Sequence, residues 1–348
     1  MELNKLETLL LFDGIAIFFV LSYHAIDGYP NNPLYFSLPF LAPLCLTLFT
    51  YSAGYKLVYN HQTDLNQRPF LSKYYIKRFV KLYKAYIGYT VLMLFPLLIV
   101  IYISTNFFHL NFEGITTILT VFNHLDRYSF ISFFLGGINP IASQLWYLIA
   151  LIYITSICFT ILYFFDIKWL FSLFIPFLLF SLLIQIFVVQ SLPDVVFNAF
   201  IYLPFFIFGG FWAYYQHDQR GKLFQAAQYF PLLFFILIMA SSFLLIFFNN
   251  KILIYCSCFF FPFFLLALFI YIKKIKFITS FFTFCGTYSF QIYLFHWPLI
   301  LPIVTRTMID IFKIDYFFMP IIATIVAVYL CVITYKMVKK IHLNILFE

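Results

Sequence analysis

Charge is the first thing this sequence lacks. Asp, Glu, Lys and Arg together make up 10% of the 348 residues, against 64% hydrophobic residues. A soluble domain of this length needs far more charge to cover its surface. Several signatures of known chemistries are missing as well. There is no Gly-rich phosphate loop, no Gly-x-Ser-x-Gly elbow, no His-Glu-x-x-His and no paired carboxylates within the apolar runs. The six cysteines (Cys45, Cys158, Cys256, Cys258, Cys285 and Cys331) all fall inside apolar runs. That placement fits thiols used as small hydrophobes, not a disulfide framework or a zinc site. Cys256-Ser257-Cys258 is too short a pair for a metal without further ligands, so no metal is expected. In a chain this apolar the net charge of +8 mostly sets orientation and is weak evidence for a nucleic-acid partner, so none is expected.

What the sequence does have is long apolar runs. About 20 apolar residues cross a ~30 Å hydrocarbon core as a helix. Ten runs of that kind are expected, at 8–26, 36–58, 85–104, 144–165, 169–190, 195–215, 229–248, 252–272, 281–303 and 317–337. The first carries Asp13 and lacks a small-residue cleavage site, so it reads as a retained helix and not a signal peptide. Segment 114–122 is apolar but too short to span, and fits a re-entrant or interfacial piece. With ten spans, 17 of the 21 basic residues fall in one set of loops. The other set holds Arg127, Lys251, Arg306 and Lys313. The positive-inside rule puts the larger set in the cytoplasm. The expectation is therefore an all-α integral membrane protein with about ten transmembrane helices. It is a single polytopic unit over 1–348 in the cell membrane, surrounded by lipid, with both termini cytoplasmic.

Ionisable groups inside spans are expensive and usually functional. Asp13 and His24 are eleven residues apart in the first run, almost three helical turns. They share a face with a rise of ~16 Å, so they do not touch. His24 reads either as a histidine hydrogen-bonded to a neighbouring helix or as a functional group. A second polar concentration runs from Gly286 to Pro298 and contains Tyr288, Ser289, Tyr293 and His296. Interhelical hydrogen bonding explains Gly286 and Ser289 well and His296-Trp297-Pro298 less well. Arg68 to Lys84 interleaves six basic residues with aromatics. This stretch reads as a topology signal touching anionic headgroups, or as a recognition site for an anionic cofactor at the inner face. The longest stretch between spans, 105–143, holds His109, His124, Asp126, Arg127 and Asn139. A connection of that length is either functional or a cover.

In order along the chain, these residues resemble the acyltransferase 3 family, membrane-bound O-acyltransferases of surface glycans and lipids. Asp13-Gly14-Ile15-Ala16 followed by His24 is similar to the family's first helix. Thr50 to Tyr55, containing Ser52, resembles its Ser-Gly-Tyr second helix, with Ser-Ala-Gly here. Lys73 to Tyr86 resembles the basic-aromatic entry to the third helix. Leu145-Trp146-Tyr147-Leu148 resembles an element opening a later span. Gly286 to Pro298 resembles the family's Gly-x-x-Ser-Tyr-x-x-Tyr-Leu-x-His-x-Pro. One departure stands out. Where the family carries Arg or Lys eleven residues before the histidine, this chain carries Asp13. Lys56, Lys77 and Arg78 are the cations available to substitute.

The resemblance implies transfer of an acyl group, with acetyl expected. The donor is cytoplasmic acetyl-CoA or another acyl-CoA. The acceptor is a hydroxyl of a cell-surface glycan or glycolipid. A base and an oxyanion partner are then required. His24 is the expected base, since imidazole titrates near neutrality. Tyr288, Ser289, Tyr293 and His296 are candidates for acceptor binding or oxyanion stabilisation. Lys77, Arg78 and Lys56 are candidates for the donor phosphates. Asp13, Ser52 and Trp146 have no assigned role. A second reading is a transporter or exporter of a glycan or lipid-linked sugar, without acyl transfer, whose path Asp13 and His24 would line.

Overall fold

A computed structural model of the chain describes residues 5–103, 143–187, 194–218, 274–311 and 317–346, with helical positions 255, 257–262, 264–265 and 268. Among the described residues there is no strand. That follows from the solvent. Lipid offers backbone groups no hydrogen-bond partners, so a crossing segment must satisfy its own. The helices are α1 (Lys5–Asp27), α2 (Leu38–His61), α3 (Arg68–Ile103), α4 (Trp146–Phe164), α5 (Ile167–Ser172), α6 (Phe174–Phe187), α7 (Asp194–Asp218), α8 (Lys276–Thr287), α9 (Ser289–Phe295), α10 (Leu301–Arg306) and α11 (Met319–Lys340). Six stretches among the described residues are long and apolar enough to cross a membrane: Thr8–Asp27, Trp146–Phe164, Ile167–Gln185, Val195–Tyr215, Ser289–Ile309 and Met319–Lys340. Each overlaps an expected span, Ser289–Ile309 lying later along the chain than the expected 281–303. The expected span 229–248, the segment 114–122 and most of 105–143 lie outside the described residues, as do Cys256 and parts of 252–272.

Pro43, Pro96 and Pro204 lie inside α2, α3 and α7. The segment after α9 breaks more sharply. Trp297 is non-helical (φ −126°, ψ 148°), and the chain becomes helical again towards α10. Pro298 has no N–H to give the preceding turn, so the break falls where the sequence removes a donor.

Two glycine crossings bring helices into backbone contact. A Cβ on Gly14 would meet the carbonyl of Phe282, and one on Gly286 would meet the carbonyl of Leu10. Gly54 and Gly209 make the same kind of crossing between α2 and α7, against the carbonyls of Phe206 and Tyr51. Lipid gives helices no hydrophobic drive to associate, so small residues that permit close van der Waals approach hold such crossings together.

Pair contacts give each helix a direction. Gly14 meets Gly286, His24 meets His296, and Gly28 meets Thr305, so α1 and α8–α10 run the same way. Lys81 lies over Phe290 and Tyr89 against Phe295, so α3 runs with them. Arg68 lies over Tyr163 and Tyr75 bonds Ser156, so α4 runs against α3. Tyr288 packs on Tyr335, while Asn32 donates to the Phe317 carbonyl at the far end. Thus α11 runs against α1. The start of α1 and the end of α11 lie at one end of the bundle, and that end also carries Lys56, Lys81 and Lys336. Arg306 sits at the other.

Candidate active site

His24 lies on the last turn of α1, half-buried, within a cluster of rings. The His296 ring centroid is 5.4 Å from it and that of Trp297 5.2 Å, tilted by 38° and 31°. Its neighbour Tyr23 packs edge-on at 5.1 Å. No described residue hydrogen-bonds the His24 nitrogens, so packing alone orients this ring. The spacing of Asp13 and His24 holds on an unbroken α1, and the two are well separated along it.

His296 is fully buried. Its Nδ1 stands 2.7 Å from the Tyr293 carbonyl oxygen, while Nε2 has no partner among the described residues. The helix break just beyond it frees the Trp297 carbonyl. That oxygen accepts from Tyr89 Oη at 2.9 Å and from Gln144 Nε2 at 2.7 Å. Gln144 Oε1 is itself buried, without a partner among the described residues. The Tyr293 hydroxyl donates to the backbone carbonyl of Gln144. Behind it, the hydroxyls of Tyr147 and Thr50 share a bond of 2.9 Å. Five helices thus meet at this cluster: α1 brings His24, α2 Thr50, α3 Tyr89, α4 and the turn ahead of it Tyr147 and Gln144, and α9 with the residue that follows it Tyr293 and His296.

The other expected site residues lie elsewhere. Ser289 is half-buried and seven residues before His296, about 10 Å along the axis. Tyr288 packs on Phe284 and Tyr335, with Lys336 Nζ 5.8 Å from its ring centroid. It lines an open groove on α8 with Lys276, Thr279 and Thr283. So the structure brings Tyr293 and His296 to His24 and leaves Tyr288 and Ser289 two turns away. Trp146 packs edge-on against Tyr147. Ser52 is buried, its hydroxyl without a partner among the described residues. Lys77 is exposed. Arg78 is half-buried, reaching the Tyr74 hydroxyl at 3.4 Å, with a buried Nε that lacks a partner among the described residues.

Lys56 settles the surroundings of the misfit charge, because its ammonium is ion-paired with the Asp13 carboxylate. Among the described residues no group of three or more His, Cys, Asp or Glu is placed to hold a metal.

Sequence reasoning did not single out Gln144 or Tyr89. Gln144 carries a weak signal, a polar residue directly ahead of Leu145-Trp146. Tyr89 carries none, being one of 27 tyrosines.

A family model described as an acyltransferase domain matches residues 9–336, nearly the whole chain. No curated protein and no solved structure matches it.

Proposed function

The chain belongs to the acyltransferase 3 family, and on that premise we propose that it moves an acetyl group from acetyl-CoA to a hydroxyl of a cell-surface glycan or glycolipid, with His24 as general base. Its apolar helices and its family make it a membrane acyltransferase. The observation that carries the finer reading is an imidazole inside the bundle whose nitrogens no side chain occupies among the described residues, with a second imidazole against it.

The chemistry runs as follows. A His24 nitrogen takes the proton of the acceptor hydroxyl as its oxygen attacks the thioester carbonyl. The tetrahedral intermediate collapses, the C–S bond breaks, and the thiolate leaves with the proton that His24 returns. The oxyanion needs a hydrogen-bond donor. The cluster's donors, the amide of Gln144 and the hydroxyls of Tyr147 and Tyr293, each hold a partner of their own, so one of them must turn from it to serve the oxyanion. Lys77 and Arg78, on the cation-rich stretch of α3, are the groups for the donor phosphates. Tyr288 and Ser289, further along the same span, suit the path of a substrate and not its reacting atoms.

His24→Ala should lower transfer by about 10²–10⁴-fold, the usual contribution of a positioned base. The measurement is the mass of surface glycans from cells expressing each form. Wild-type cells carry one more acetyl group per modified sugar, and undiminished acetylation with His24→Ala would remove the base. The transporter reading has Asp13 and His24 lining a path, and in the structure that Asp13 carboxylate is paired with Lys56.

The same reading includes ten spans in one unit, with both termini cytoplasmic. The coincident ends of α1 and α11, and the lysines gathered there, favour it. A reporter that fluoresces only in the cytoplasm should light when fused to either end, and stay dark when inserted at the exposed Asn31 turn. Any split between the two ends would refute it.

A further inference from the structure

The tautomer of His296 is fixed by its neighbour. Nδ1 faces the Tyr293 carbonyl at 2.7 Å. A carbonyl oxygen only accepts, so Nδ1 carries the ring proton and Nε2 presents a bare lone pair. That lone pair is fully buried, and no described residue donates to it. A buried acceptor left unmade costs about 1–3 kcal/mol, and such an atom in a native fold calls for an explanation. The ring against it is His24, whose own nitrogens also have no hydrogen-bond partner among the described residues.

From this geometry we infer that His296 is a positioning residue for His24, accepting a hydrogen bond from one His24 N–H so that the other nitrogen faces the acceptor hydroxyl unprotonated. This rests on the reading of His24 as base. A turn of the His24 ring closes the bond. A neutral imidazole has two tautomers, and only one serves a given substrate pose. A chain from the Tyr293 carbonyl through His296 to His24 selects that one. It uses the logic by which a carboxylate orients the histidine of a serine-hydrolase triad, with a neutral ring in the carboxylate's place. No proton moves on to His296. When His24 takes the acceptor's proton, both its nitrogens are donors, and His296 Nε2 goes on accepting from one of them. The anchoring of the next residue fits this role. Trp297, held at its carbonyl by Tyr89 and Gln144, stacks its indole on His24 and limits that ring's swing.

The test uses the full chain in lipid nanodiscs, with two readouts. One is acetyl-CoA turnover, followed as free thiol. The other is the ring ¹⁵N spectrum of histidine-labelled protein, with His24 assigned by its loss in His24→Ala. His296→Phe keeps the ring and removes the acceptor. His296→Gln restores a carbonyl oxygen near the Nε2 position. The expected result is one dominant His24 tautomer in the wild type and a mixture in His296→Phe. Turnover should fall roughly 10–100-fold in His296→Phe, as for other orienting partners, with KM for acetyl-CoA unchanged, and recover largely in His296→Gln. Wild-type turnover in His296→Phe, or the same His24 tautomer with and without the acceptor, overturns the inference. If His296→Phe does not fold, mixed His24 tautomers in the wild type overturn it without any variant. Undiminished turnover in His24→Ala would sink the base assignment alone, and the nitrogen spectrum would still judge the link between the rings.

Discussion

Asp13 puts a carboxylate inside the first span, and Lys56 reaches it from the next helix. The two ends of this pair differ in access to water: the Asp13 side chain is 9% exposed and that of Lys56 37%. Removing the lysine leaves a charge with nowhere to go. Removing the carboxylate leaves an ammonium that reaches solvent on its own stem. Lys56→Met should therefore destabilise by about 1–3 kcal/mol, below the figure for a fully buried pair because Lys56 is partly solvated. Asp13→Asn should cost less. The double variant Asp13→Asn, Lys56→Met should recover most of the loss, since neither charge is stranded. Thermal unfolding in detergent reads all three, and simple additivity of the two single variants would refute the coupling. The sequence shows the reversed charge at Asp13 and names Lys56 among the cations able to answer it. Which of three cations does so depends on how α1 and α2 slide against each other, and no spacing along one chain encodes that.

Among the helices, the glycine crossing of α1 on α8 sets where His24 and His296 meet. A methyl group on Gly14 would run into the Phe282 carbonyl, and backbone gives way less readily than a side chain. Gly14→Ala should destabilise by about 1–3 kcal/mol, as overpacking does. It should also lower acetyl-CoA turnover, because α1 must back away from α8 and take His24 with it. A variant with intact melting behaviour and full turnover would show that the crossing is not tight. Helix existence could be read from the apolar runs, and His24 and His296 from their rarity inside them. The groups that hold Trp297 could not. Its carbonyl becomes available only because the chain breaks ahead of Pro298, and Gln144 and Tyr89 arrive from 153 and 208 residues away. Tyr288 and Ser289 belong to the same polar concentration in the sequence as Tyr293 and His296, and only depth along the axis separates them.

Across the whole molecule, the apolar runs foretold an all-helical architecture, and six of the ten expected spans recur as crossing-length helices among the described residues. The Asp13–Lys56 pair also has a consequence for how the chain is made. Lys56 is synthesised 43 residues after Asp13, so while α1 waits in the translocon its carboxylate has no counter-ion. Release into the bilayer is then most favourable as a hairpin, once the second helix has delivered the ammonium. A ribosome-stalled nascent chain that stops short of Lys56 should cross-link to the translocon longer than the same chain carrying Asp13→Leu, and a chain extended through α2 should erase the difference. Equal dwell times for the two short chains would mean that α1 leaves alone, its lone acid tolerated by lipid.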